Sequence, residues 1–190
     1  MANSAHGGFD SGAQAGDGTH EKDINLKISK NLKCFLEYFG FNVIMTRETD
    51  VSIESDNGKK SKKSSDLYNR LNTMKDNPNA IFVSIHMNKF TSSSANGAQV
   101  FYAPNVPMSD LLADSIQTTI KELLQPQNER VIKKGSKSIY ILNNATVPAI
   151  IVECGFMSNV QELSLLKDEK YQKKMAFSVL CGIINYYNSF

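Results

Sequence analysis

Two short apolar runs, each closing on a residue capable of chemistry, constrain this chain more than any other feature. Ala149–Val152, AIIV, is unbroken and rich in β-branched residues, and it stops on Glu153, with Gly155 beyond. Ala80–His86, AIFVSIH, is nearly as apolar and delivers His86 at its end. Runs of this kind fit strands covered on both faces, as in a parallel sheet. A carboxylate at the carboxyl end of such a strand sits where open α/β sheets place their ligand crevice. The plainer alternative is a strand that ends on a solvated glutamate.

Helical patterns lie between the strands. Ile28, Leu32, Phe35, Leu36 and Phe39 form one stripe, closed by Gly40 as C-cap. Phe41–Thr46 reads as a strand, Asp66–Lys75 as a short helix, and Ala98–Tyr102 as another strand. Ser109 is placed to cap a helix bearing Leu112, Ile116, Ile120 and Leu123. After a polar connection at Gln125–Lys137, Ser138–Leu142 reads as a strand. Ser158 with Gln161 reads as a capping box for a short helix, and Asp168 begins the last one, with Tyr171, Met175, Val179, Ile183 and Tyr186 on its stripe. Strands and helices alternate without repeats. The expectation is α/β: a single domain over residues 1–190, built on a mainly parallel twisted sheet flanked by helices.

Met1 and Ala2 lead directly into a Gly-, Ser- and Asp-rich loop over residues 3–21. We therefore expect the first strand to be missing and the domain to be N-terminally truncated, with an upstream segment, including an export signal, cut away. No apolar run approaches the length that spans a bilayer, so the mature form is not expected to be transmembrane. A net charge of +2 demands neither nucleic acid nor an anionic membrane. The basic cluster Lys59, Lys60, Lys62 and Lys63 lacks interleaved aromatics. It reads as a solvated loop rather than as a contact for an anionic polymer such as teichoic acid or nucleic acid. Cys34, Cys154 and Cys181 form no framework, and Cys154 lacks the base partner that a nucleophilic thiol needs, so it reads as structural.

Four residues at loop or strand ends suit metal-assisted hydrolysis. His6 precedes Gly7 and Gly8, Glu21 stands just before a helix, and His86 and Glu153 end buried strands. A catalytic zinc needs three protein ligands and an open position for water, which a His/His/Glu set provides. A further carboxylate then serves as base and acid. His20 competes with Glu21, because imidazole is the commoner zinc ligand, and residue type alone does not separate them.

HGGFDSGAQ (6–14), EKDINL (21–26), TR (46–47), SIHMN (84–88), GAQVFY (97–102) and VECGFMSN (152–159) follow one another in an order and at intervals that resemble the zinc-dependent N-acetylmuramoyl-L-alanine amidases of the amidase 3 type. The likeness runs from about residue 3 to the end and is greatest toward the spore-cortex, or sporulation, amidases of Bacilli and Clostridia. The resemblance implies one zinc ion held by His6, Glu21 and His86, with Glu153 as the catalytic carboxylate. It implies cleavage of the amide between the lactyl group of N-acetylmuramic acid and L-alanine of the peptidoglycan stem peptide, in cortex maturation and germination, on the extracytoplasmic side of the cell. Arg70 and Asn88 are candidate supporting or substrate contacts. Asn3-Ser4-Ala5 departs from the Asp-Ala-Gly that usually precedes the first His-Gly-Gly in the family. That departure leaves room for an accessory protein that orders the zinc site. Two further readings compete: a non-catalytic wall-binding module on the same fold, and a zinc peptidase acting within the stem peptide.

Overall fold

The computed structural model describes residues 1–55 and 61–190; Lys59 and Lys60 of the basic cluster lie outside the described residues. In chain order the elements are β1 (Ala2–Ser4), α1 (Glu21–Tyr38), α2 (Lys62–Lys75), β2 (Phe82–Asn88), β3 (Gln99–Tyr102), α3 (Ser109–Leu123), β4 (Lys133–Lys134), α4 (Tyr140–Asn143), β5 (Ala149–Phe156), α5 (Val160–Lys167) and α6 (Glu169–Tyr187). The sheet order is β1-β2-β5-β3-β4. β1–β2, β2–β5 and β3–β4 pair in parallel, whereas β3–β5 is antiparallel, so the sheet is mixed with parallel pairing prevailing.

Alternation along β2 and β5 divides the core in two. Val83, Ile85 and Met87 of β2, with Ile150, Val152 and Cys154 of β5, face a dry core shared with Ile28 and Leu32 of α1, Ile116 and Ile120 of α3, and Met175 and Val179 of α6. Phe82, Ala149 and Ile151 point the other way, into a smaller cluster with Leu71 and Met74 of α2 and Ile141 and Leu142 of α4. Ser84, His86 and Glu153 share that second face by the same period of two. Among the described residues no helix is long and apolar enough to cross a membrane.

Several local expectations give way. The first strand is present: Ala2, Asn3 and Ser4 pair with Val83, Ser84 and Ile85. Three residues are too few to show a strand's periodicity. Phe41–Thr46 runs beside this strand but makes a single bridge, Ala2 to Met45, because so short a neighbour supports no longer ladder. Ser138–Leu142 is not a strand: it contains the start of α4, whose adjacent Ile141 and Leu142 are both buried. A short apolar run does not distinguish a strand from a helical turn. Ser109 is the first residue of α3 rather than its cap, and its hydroxyl accepts from the Ala149 N–H at 3.2 Å. The cap of α5 is Asn159, one residue past the expected Ser158, whose hydroxyl instead accepts from Phe90 N–H. The C-cap of α1 is Phe39, one residue before the expected Gly40, which follows it at φ 84°, its N–H bonding Glu37 while Phe41 bonds Leu36, a left-handed helix stop that glycine takes without a Cβ penalty. Asp168 caps α6 as expected, through the Tyr171 N–H.

Candidate active site

The carboxyl ends of β1, β2 and β5 converge with the first turn of α1. His6 follows β1 and holds a left-handed backbone, φ 60°, which is uncommon for a residue with a side chain. Glu21 opens α1, where the helix N-terminus favours a carboxylate. His86 lies on β2, with Glu153 of β5 as its direct Cα partner across the ladder. Paired residues of adjacent parallel strands point to the same face, so this register sets Glu153 beside His86.

Donor atoms of His6, Glu21 and His86 all lie within 4.8 Å of one another. His6 Nε2 is 3.3 Å from Glu21 Oε2, and His86 Nδ1 is 2.9 Å from Glu21 Oε1. The two imidazole rings meet edge to face at 5.1 Å. Glu21 is held on every side: Oε2 accepts from the Ala13 N–H at 2.8 Å, and Oε1 accepts from the Met87 N–H at 3.1 Å and from Asn25 Nδ2 at 3.3 Å. Burial alone would raise its pKa, but hydrogen bonding and charge from His6 and His86 hold it well below the usual carboxylate range. Asp10 Oδ2 sits 2.9 Å from the other ring nitrogen of His6 and fixes the orientation of the ring. Burial opposes protonation of His6, yet Glu21 and Asp10 together raise its pKa. Gly12 makes this packing possible: at φ +66°, a Cβ there would stand 2.5 Å from Glu21 Oε2 and 2.7 Å from the His6 ring.

Glu153 differs from its neighbours. Its Oε2 is enclosed and has no hydrogen-bond partner. Burial pushes its pKa up to about 7, outweighing the opposing effect of His86. An enclosed, unbonded carboxyl oxygen next to His86 of the three-donor cluster marks Glu153 as a candidate functional group. The chemistry of the set, two imidazoles and one carboxylate, fits a zinc-type cation.

The remaining sequence candidates fall as follows. His20 occupies the position before α1, bridges to Gln14, and stands outside the cluster, whereas Glu21 lies within it. Arg70 is buried and turned inward: Nη2 donates to the His6 carbonyl at 2.9 Å, Nη1 to the Ser4 carbonyl at 2.9 Å, and Nε to Asp66 at 2.6 Å. All three of its guanidinium nitrogens therefore bond within the protein. Asn88 ends β2, and its carbonyl accepts from the Met157 N–H at 2.8 Å. Lys63 lies 3.6 Å from Asp10, and Lys62 stacks over the exposed Phe9 ring, so this part of the basic cluster borders the site. Cys154 faces the dry core, where burial pushes its thiol far up, as a structural residue requires. Asp10 and Arg47 were missed. Asp10 lies inside the Gly-rich motif, four residues after His6, but nothing in residue type assigned it. Arg47 was only the second letter of a motif.

Comparison with known proteins shows the family of the chain. Residues 1–185 match the family model described as N-acetylmuramoyl-L-alanine amidase. The germination-specific N-acetylmuramoyl-L-alanine amidase of Bacillus subtilis (strain 168) is 35% identical over 184 residues, spanning 96% of this chain and 76% of the relative. The CwlD amidase from Clostridioides difficile, solved in complex with the GerS lipoprotein, superposes with a TM-score of 0.92 at 39% identity, covering 100% of this chain and 98% of that one. AmiC2 of Nostoc punctiforme gives 0.85 at 29% identity over 98% and 95% of the two chains. The chain belongs to the N-acetylmuramoyl-L-alanine amidase family. It is an enzyme, a hydrolase acting on an amide of peptidoglycan.

Proposed function

We propose that this amidase is zinc-dependent, with His6, Glu21 and His86 as the residues that hold the ion and Glu153 as the catalytic carboxylate. The observation that carries the reading is the cluster of three donors around one point, with the unpartnered Glu153 as cross-strand neighbour of His86. Zinc, when bound, supplies Lewis acidity to the scissile carbonyl and to water. Glu153 takes a proton from the water as its oxygen bonds the lactyl carbonyl carbon. It then gives that proton to the alanine nitrogen as the C–N bond breaks. The products are a lactyl carboxylate and a stem peptide with a free L-alanine amine. One oxygen of Glu153 is enclosed and bonded to no other group of the protein, so the carboxyl is free to take and return a proton. Glu21, held ionised, contributes negative charge to the cation site, and Asp10 orients the His6 ring.

The same reading takes residues 1–190 as one catalytic domain working on the extracytoplasmic face, in spore-cortex maturation. The likeness to the germination-specific amidase of Bacillus subtilis and to the Clostridioides difficile amidase supports it. That the latter was solved with a lipoprotein supports an accessory partner for this chain as well. Asn88 stands at the site's edge as a candidate substrate contact. The test is incubation of zinc-loaded protein with defined muropeptides, followed by product masses. Free stem peptides that begin with L-alanine are expected. Shortened stems would mean a peptidase, and an unchanged wall a binding module.

A further inference from the structure

The segment that presents His6 leaves the sheet after Ser4, and its next carbonyls find no strand to bond. Two buried arginines take them, with Asn25 Nδ2 reaching the Ala5 carbonyl as well, at 3.4 Å. Arg47 Nε donates to the Ser4 carbonyl at 3.1 Å, and its Nη2 donates both to the Ala5 carbonyl at 3.0 Å and to the Lys22 carbonyl at 2.7 Å. One nitrogen thus ties the backbone just before His6 to the backbone just after Glu21. Arg70 takes the Ser4 and His6 carbonyls through its two terminal nitrogens. Its guanidinium is in turn gripped by both oxygens of Asp66, at 2.6 and 3.2 Å, and Asp66 is anchored by the Ile53 N–H. Arg47 and Arg70 are 4% and 2% exposed, so these bonds are not traded for water. Their positive charges oppose each other at close quarters, and burial with the Arg70 charge lowers Arg47 to about 10. Such an arrangement persists only where the surrounding structure determines it.

We infer that Arg47 and Arg70 are positioning residues for the metal ligands: together they hold His6 in its left-handed conformation and fix its distance from Glu21. Neither touches the donor atoms. They act on three successive carbonyls, Ser4, Ala5 and His6, with the planar fork that a guanidinium has and an ammonium lacks. The site's affinity for zinc is therefore set partly from α2 and from the segment after α1, through the backbone. This rests on reading His6, Glu21 and His86 as the ligands.

The experiment measures zinc dissociation constants by chelator competition for the wild type, Arg47→Lys and Arg70→Lys, alongside circular dichroism and melting of the metal-free proteins. Each variant keeps its charge and loses the fork. Affinity is expected to fall by about 10- to 100-fold, the range typical of groups that orient metal ligands. A variant that is folded, melts lower without metal, and still binds zinc within twofold of wild type has lost only a structural bond, and that result overturns the inference. If a lysine variant does not fold, Asp66→Asn, which loosens Arg70 without removing it, is read in the same assay: a several-fold loss supports the inference and an unchanged constant overturns it. A wild type that binds no zinc defeats the ligand reading and this inference together. Zinc-binding wild type with unaffected variants defeats this inference alone.

Discussion

The two faces of the central strands are built from alternate residues of the same short sequences, yet they obey opposite rules. On one face Val83, Ile85, Ile150 and Val152 meet the apolar stripes of three helices. On the other, Phe82, Ala149 and Ile151 start the strands as core and then give way to Ser84, His86 and Glu153. The first face gains stability from burial. The second carries burial that opposes stability: a left-handed His6 backbone, two buried guanidiniums of like charge and a Glu153 oxygen without a hydrogen-bond partner. The first face supplies the rigidity on which the second depends, because a dry core fixes the strand register that brings His86 beside Glu153.

The sharpest test of this division is Glu153→Gln. It removes the proton carrier from the polar face and should lower turnover by about 10²- to 10⁴-fold, while zinc remains bound and the fold intact, as product masses and metal content will show. A variant with near-normal turnover would break the assignment of roles. On the dry face, Ile150→Ala should cost about 2–5 kcal/mol in urea unfolding and leave zinc affinity unchanged in whatever fraction stays folded. If affinity also fell, the two faces would be coupled more tightly than their packing indicates.

Glu153→Gln makes a second, smaller prediction for the metal-free protein. Its carboxyl has a folded pKa of about 7 against an ordinary 4.5. Between those values the native state holds a proton that the unfolded chain has released, so stability falls as pH rises through that window. Wild type should lose on the order of 2 kcal/mol more than Glu153→Gln between pH 5 and pH 8, read from urea midpoints at the two pH values. Equal slopes would mean that the carboxyl is not desolvated. Smallest of all, Lys33→Ala breaks a surface pair with Glu48 far from both faces. It should shift stability by less than about 1 kcal/mol and change no kinetic constant.

The sequence by itself determined where chemistry could stand. The apolar runs ending in His86 and Glu153, the glycine-rich loop around His6, and the helix opening at Glu21 follow from local periodicity and backbone preference, which are written in neighbouring residues. It also determined the α/β class and the position of Gly40 at a helix end. Only the tertiary structure brought Glu21, and not His20, within reach of His6 and His86, paired His86 with Glu153, found β1 in three residues, and turned Ile141 into helix. It alone showed Arg47 and Arg70 bent inward onto the carbonyls before and at His6. These outcomes rest on contacts between residues tens of positions apart, and a side chain's partner across such a distance is set by strand register and helix packing, which no local pattern encodes.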